Sequence, residues 1–248
     1  MKILGIDTSS KRCTTCILDN NNVIIELHSD DEKTHSQTLM PLIDQMFKTA
    51  NLTLKDINLL ACCIGPGSFT GVRIGISTAK AFADVYNFPT VGVSSLEGLA
   101  YNIKDINVTN LIQESTNETV ENSILNNPFI ICSIIDAKNE NVYYGLFDEN
   151  YNELEELSTC SIYDLINKLK NYNKTVAFVG DGAISYNEIL KSSIPSAIFF
   201  EGEKNIASSI SIAKFAYTKY VNGSYNSSLS PMYLKKSQAE RSLEERKD

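Results

Sequence analysis

Residues 63–87 read CIGPGSFTGVRIGISTAKAFADVYN. An apolar run ends in Gly65-Pro66-Gly67 and a helical pattern follows at once, so the stretch predicts a strand, a tight turn and a helix. A row of small side chains on one helix face lets another backbone come close, and we expect a second helix to pack against this row. The small residues recur at every fourth position: Gly71, Gly75, Ala79 and Ala83.

The glycine turn is also a candidate anion site, because a strand-to-helix turn exposes free amides at the positive end of a helix dipole. It is one residue longer than the dinucleotide fingerprint, Pro66 removes a donor, and Val72-Arg73 stands where a Walker A loop has Lys-Ser/Thr. A turn of structural glycines is the simpler interpretation. The residues expected to contact an anion or nucleotide, if one binds, are Asp7, Thr8, Ser9, Gly65, Gly67, Ser68, Arg73, Asp136, Gly180 and Gly182.

Composition limits the function classes. The chain has 248 residues, a formal net charge of −8 and 43% hydrophobic residues, which is ordinary for a globular protein. The negative charge argues against a broad nucleic-acid surface, because such binding needs Lys and Arg to neutralise phosphates. The N-terminus lacks the apolar region of a signal peptide, and no stretch approaches the ~20 apolar residues of a membrane span. We expect a cytoplasmic protein that does not contact membranes and meets RNA only indirectly.

Strand and helix signals repeat in the two halves of the chain. The order β-β-β-α-β-α-β-α appears twice, the second time with its third strand expected at 151–157, and predicts an α/β fold of two like lobes. Each half has an aspartate at the end of its first strand, Asp7 and Asp136. The expected divisions are an N-terminal lobe at 1–103, a polar linker at 104–128, a C-terminal lobe at 129–204, a C-terminal helix at 205–234 that packs back between the lobes, and a charged tail at 235–248.

The helix predicted at 35–50 has a wide apolar face. Thr34 and Gln37 form a capping box at its start, and Met40 and Phe47 widen its apolar stripe. A stripe of this width suggests burial on two sides, one of which belongs to another protein, although an ordinary core helix has the same periodicity. The stripe consists of Leu39, Leu42, Ile43, Met46 and Ala50.

Further motifs are spread over nearly the whole chain: ILGIDTS at 3–9, HSQTLMPLI at 35–43, GPGSFTGVRIG at 65–75, SSLE at 94–97, IDAK at 135–138, VGDGA at 179–183 and PMYLK at 231–235. Together they resemble the TsaB family of YeaZ-like proteins. The resemblance implies a duplicated, two-lobed fold of the actin-like ATPase and sugar-kinase class. It also implies a role in forming threonylcarbamoyladenosine on tRNAs that read codons beginning with A.

The resemblance further implies a non-catalytic subunit that activates a paralogue. In that family the protein pairs with TsaD, which carries the transferase chemistry, an ATPase, TsaE, joins them, and homodimers form when the paralogue is absent. ATP, ADP and metal are then expected on the partner subunits, with no cofactor in this chain. The implied contact maps onto helices at 35–50 and 68–86, with His35, Leu39, Leu42, Ile43, Met46, Phe69, Gly71, Val72, Ile74, Gly75, Ala79 and Ala83 as contact residues.

Two enzymatic functions compete with this interpretation. The catalytic paralogue holds a metal with a His-x-x-x-His pair, but here Leu39 stands four residues after His35, so we expect no metal site and no catalytic residue. The same lack of ligands disfavours a metallopeptidase-like hydrolase. A nucleotide-binding small-molecule kinase stays open, because Asp7, Asp136 and Gly180 to Gly182 stand where that fold handles phosphates. The hypothesis of a non-catalytic scaffold predicts that Gly75→Leu abolishes pairing with the paralogue and leaves the chain folded.

Overall fold

The fold is built on two mixed β-sheets. The computed structural model describes residues 1–29, 34–108, 129–225 and 228–235. The elements of the first half are β1 (Lys2–Asp7), β2 (Cys13–Asp19), β3 (Asn22–Ser29), α1 (His35–Ala50), a short 3-10 helix (Leu54–Asp56), β4 (Leu59–Cys63), α2 (Phe69–Tyr86), β5 (Thr90–Val93) and α3 (Ser95–Tyr101). Those of the second half are β6 (Ile130–Asp136), β7 (Asn141–Phe147), β8 (Ser158–Ser161), α4 (Ile162–Lys170), β9 (Val176–Val179), α5 (Asp181–Ser185), α6 (Asn187–Ser193), β10 (Ile198–Phe199), a 3-10 helix (Gly202–Asn205) and α7 (Ser209–Val221).

Strands β1 and β6 hold equivalent places in sheets of the same topology, β3-β2-β1-β4-β5 and β8-β7-β6-β9-β10. Strand β1 pairs antiparallel with β2 and parallel with β4, so that Gly5 lies between Cys16 and Ala61. Strand β6 pairs in the same way with β7 and β9. Strands covered on both faces need apolar residues throughout, which accounts for the buried run in β4. The predicted duplicated α/β fold is confirmed.

The second half departs from the predicted boundaries. The third strand begins at Ser158, and within 151–157 Glu153 forms only an isolated bridge with Phe147. The reason is an aspartate-centred turn, since Asp148 Oδ1 accepts the amides of Asn150 and Asn152 at 2.8 and 2.9 Å. The segment after β9 folds as two helices. The C-terminal helix predicted at 205–234 is shorter at both ends, since α7 begins at Ser209 and ends at Val221.

Helices α3 and α7 lie between the sheets, and each covers the sheet of the other half. Helix α7 packs on β1, β2 and β4, whereas α3 packs on β6 and β7, and the two helices contact each other. Lys219 Nζ of α7 lies 2.5 Å from Glu97 Oε1 of α3, whose side chain is nearly buried. The division at residue 103 therefore separates α3 from the sheet on which it packs.

The remaining faces are outer ones: α1 and α2 cover the first sheet and α4 to α6 the second. The predicted linker is described as far as residue 108, and Val108 is buried in the cluster around α3. Residues 109–128 and the predicted tail beyond 235 lie outside the described residues. In the part of the chain that the structure describes, no helix combines the length and the apolar character needed to cross a bilayer.

Candidate functional site

Helices α1 and α2 build the face on which the predicted contact residues stand. The Thr34 amide donates to Gln37 Oε1 at 3.3 Å where α1 begins, and Ser68 Oγ accepts the Gly71 amide at 3.1 Å where α2 begins. Many of the predicted contact side chains point inward and are at most 3% exposed: Leu39, Ile43, Met46, Val72 and Ala79. They form the core of their own lobe, so the surface they were predicted to offer a partner is not available in the folded chain.

The row of small residues also has an internal partner. A Cβ on Gly71 would collide with the carbonyl oxygen of Thr8, and one on Gly75 with Thr8 Oγ1. Thr8 Oγ1 donates to the Gly71 carbonyl at 2.7 Å, so Thr8, directly after β1, fills the space beside Gly71 and Gly75. The prediction that a second helix packs there is wrong at Gly75, where the nearest atoms belong to Thr8 and Ile6. At Gly71 helix α1 does come close, because His35 Cδ2 lies 2.8 Å from the added Cβ, but the Thr8 backbone is nearer. Gly75→Leu would disturb the lobe itself and does not test partner binding.

The surface that α1 and α2 do present keeps five of the predicted contact residues and adds Met40. Met40 is 48% exposed and Phe69 42%, while His35, Leu42, Ile74 and Ala83 are partly buried. An open groove of about 540 Å³ runs between the carboxyl-terminal part of α1 and Phe82 of α2. Lys48 and Asp44 form an ion pair of 2.6 Å at its rim. Its apolar lining consists of Met40, Ile43, Phe47, Leu52, Leu54 and Phe82.

The sequence prediction missed Phe82, Leu52 and Leu54 as surface residues. Met40 was recognised as a widening of the α1 stripe, but it was not placed among the contact residues. For Met40 the sequence does carry a signal: the stripe of α1 fills the core, and an apolar residue that lies beside this stripe indicates a second apolar face. Leu52 and Leu54 carried no such signal, since they follow the helix and their placement depends on how the chain turns back to β4.

The candidate anion residues of the first lobe are packed against one another. The Ser9 amide donates to Asp7 Oδ1 at 2.8 Å, and the Ser68 amide to the Ser9 carbonyl at 2.7 Å. A Cβ on Gly67 would collide with that same carbonyl oxygen. Asp7 is 1% exposed, and burial raises the pKa of its carboxyl group, partly offset by the hydrogen bond from Ser9. The turn after β1 thus occupies the space in front of the glycine turn.

Equivalent residues of the second lobe are also engaged internally. The Asp136 amide donates to Asp181 Oδ1 at 3.1 Å, and Lys138 Nζ lies 2.6 Å from Asp136 Oδ2. Burial favours a higher pKa for Asp136, but its bonds with Lys138 outweigh this effect and the net pKa is lowered. The Gly180 amide donates to Asn205 Oδ1 at 2.8 Å, and added Cβ atoms on Gly180 and Gly182 would collide with Ile134.

The candidate anion residue Arg73 and the predicted contact residue His35 also have partners within the chain. His35 Nε2 lies 2.8 Å from the Ser10 carbonyl oxygen, and Arg73 Nε donates to Tyr233 Oη at 2.8 Å. The structure therefore brings Asp7, Ser9 and Ser68 together, whereas the Arg73 side chain contacts Phe69 and Tyr233. In the four described ranges no three His, Cys, Asp or Glu side chains gather as a metal site.

Comparisons with known proteins assign the family. A family model described as "TsaD: tRNA N6-adenosine threonylcarbamoyltransferase" matches residues 27–239. The "tRNA threonylcarbamoyladenosine biosynthesis protein TsaB" of Buchnera aphidicola subsp. Schizaphis graminum is 30% identical over 184 residues, which are 73% of this chain and 78% of that protein. This chain belongs to the TsaB family. The TsaB protein of Bacillus subtilis is 28% identical over 194 residues, 77% of this chain and 76% of the relative.

Solved structures support the fold of this TsaB-family chain. YeaZ from Pseudomonas aeruginosa superposes with a TM-score of 0.66 at 19% identity, over 94% of this chain and 99% of that one. The ROK hexokinase of Thermus thermophilus gives a TM-score of 0.52 at 10% identity, over 89% of this chain and 100% of the hexokinase. At these identities the likeness concerns the fold alone, the two-lobed fold of actin-like ATPases and sugar kinases.

Proposed function

We propose that this chain is a non-catalytic subunit for threonylcarbamoyladenosine formation on tRNA, and that it binds a TsaD-type paralogue through the α1–α2 face. The names of its TsaB relatives, "tRNA threonylcarbamoyladenosine biosynthesis protein", support the process. The match to the TsaD family model supports a catalytic partner built on the same fold. The proposal places the chain in the cytoplasm, and it assigns tRNA binding mainly to the partner, because a net charge of −8 disfavours contact with phosphates.

One observation carries the non-catalytic role. The backbone of Ser9 is packed on Gly67 and Ser68, and Asp7 is buried behind it. A phosphate at the glycine turn would need free amides in front of it, and the Ser68 amide already has a partner. ATP, ADP and metal therefore bind the partner subunits, the TsaD-type paralogue and a TsaE-type ATPase, in this proposal.

The groove between α1 and α2 supports the partner contact. Met40 and Phe82 contribute to its apolar lining, and the Asp44–Lys48 pair gives it a polar rim. An apolar surface with a polar rim is usual in protein–protein interfaces. The paralogue is the occupant that we propose, and a second copy of this chain takes its place when the paralogue is absent. A side chain that is 48% exposed, like Met40, can change without disturbing the core.

Met40→Glu tests the contact. Under this proposal the paralogue covers Met40, and a charge buried there costs at least about 2 kcal/mol, so binding of the TsaD-type paralogue from the same cell should weaken at least about 30-fold. Ile184→Glu is the matched control, because Ile184 is another exposed apolar helix residue, 59% exposed, on α5 of the other lobe. The measurement is calorimetric titration of the paralogue, with size-exclusion chromatography of each variant alone.

Equal binding by Met40→Glu and the wild type would place the contact elsewhere. The kinase alternative is tested in the same instrument, because it requires saturable binding of Mg-ATP by the isolated chain. We expect no such binding, since the turn after β1 fills the phosphate position. Saturable heat that is lost in an Asp136→Asn variant would instead support a nucleotide site between the lobes.

A further inference from the structure

Residues 228–235, called the C-terminal strap here, contact both lobes. Leu229 anchors its first part, being 1% exposed within the core that α1 and α2 cover. The Met232 amide then donates to the Ile64 carbonyl at 2.7 Å, directly after β4. The strap is thereby fixed to the first lobe at the carboxyl end of a central strand.

The far end of the strap lies against the second lobe. Met232 and Leu234 pack on the cluster between α3 and the second sheet. Lys235 Nζ donates to the Ala137 carbonyl at 3.3 Å, directly after β6. Ligands of α/β folds bind at the carboxyl ends of strands, and this is the edge that the strap crosses in both lobes.

Tyr233 connects the strap to the first turn of α2. Its ring stacks on Phe69 with 5.0 Å between centroids, and its hydroxyl accepts the Arg73 Nε hydrogen at 2.8 Å. The Arg73 guanidinium lies 3.7 Å from the centre of the Phe69 ring. Phe69 and Arg73 are one helical turn apart, so these contacts hold the beginning of α2 in a fixed position.

We propose that the C-terminal strap takes the place of a bridging ligand: it locks the two lobes together and holds the first turn of α2 for the partner. Its second part rests on the proposed function, because it assumes that the partner binds the α1–α2 face. The lock acts at the carboxyl ends of β4 and β6 and adds to the packing of α3 on α7.

Hydrogen exchange of the full chain with Tyr233→Ala tests the lock. Loss of the stacking and of the hydrogen bond should speed exchange about threefold to tenfold at 65–73. The same increase should appear at 137–140, which Tyr233 does not touch in any contact described above, because the change must travel along the strap. Tyr225→Ala is the matched control, since the Tyr225 ring packs on Tyr220 in a tilted arrangement with 5.0 Å between centroids but lies outside the strap.

An increase confined to 65–73, or no increase at all, overturns the lock. Leu229→Ala provides a second perturbation and should raise exchange at the same two places while β2 stays protected. Titration of the TsaD-type paralogue separates the two parts of the proposal. If Tyr233→Ala exchanges faster but binds the paralogue with unchanged affinity, the role in holding α2 is overturned and the lock is supported. A wild-type chain that binds no paralogue refutes the proposed function without affecting the exchange result.

Discussion

Gly71→Ala tests whether Thr8, directly after β1, fills the space beside Gly71 on α2. The new Cβ collides with the Thr8 carbonyl oxygen, a backbone atom that no rotamer change can move, and lies 2.8 Å from His35 Cδ2. Overpacking of this kind costs up to about 3 kcal/mol. The weakened bond from Thr8 Oγ1 adds about 1 kcal/mol, and alanine returns at most about 1 kcal/mol of helix propensity. We expect a loss of about 3 kcal/mol in the free energy of unfolding.

The assay is thermal and urea unfolding followed by circular dichroism. A loss of this size lowers the Tm of a chain of this length by about 6–12 °C. Gly98→Ala in α3 is the control, because its Cβ meets only the flexible end of Ile212, with Cδ1 at 2.6 Å. Its stability should stay within about 1 kcal/mol of the wild type. A Gly71→Ala protein as stable as the Gly98→Ala protein would refute the internal packing and make the row available to a partner again.

Two electrostatic predictions follow from the buried carboxylates. Burial holds the pKa of Asp7 above its ordinary 3.8, so the folded chain binds the proton more tightly than the unfolded chain. The stability that this group contributes is therefore complete below pH 3.8 and is lost as the pH rises through the raised pKa. Asp7→Asn should flatten this fall in urea midpoints measured from pH 4 to 8, and an unchanged slope would contradict the assignment. Lys219→Met leaves Glu97 buried without its ammonium partner and should cost about 3 kcal/mol in urea unfolding, partly restored by Glu97→Gln. Lys214→Met, on the same helix but paired with the exposed Asp105, should cost less than about 1 kcal/mol, and equal losses would show that burial of Glu97 is unimportant.

Local patterns were sufficient for most of the elements and for the family. The strand, turn and helix at 59–86 follow from an apolar run, three residues of turn type and a small-residue period, and α1 follows from its cap and stripe. The place of Asp7 at the end of β1 was predicted as well. The strand expected at 151–157 was wrong because the side chain of Asp148 satisfies the backbone of the following residues. Side-chain to backbone bonds of this kind compete with strand pairing and leave little trace in hydrophobic periodicity.

The sequence by itself determined which faces of α1 and α2 are apolar or small, the duplicated order of elements and the membership of the TsaB family. The tertiary structure alone decided what fills those faces. Gly71 contacts Thr8, which is 63 residues away in the sequence, and α3 and α7 each pack on the sheet of the other half. Sequence periodicity indicates that a helix face is buried, but it does not indicate which surface covers that face. For the same reason the groove between α1 and Phe82 and the crossing of the strap from Ile64 to Ala137 became visible only once the chain was folded.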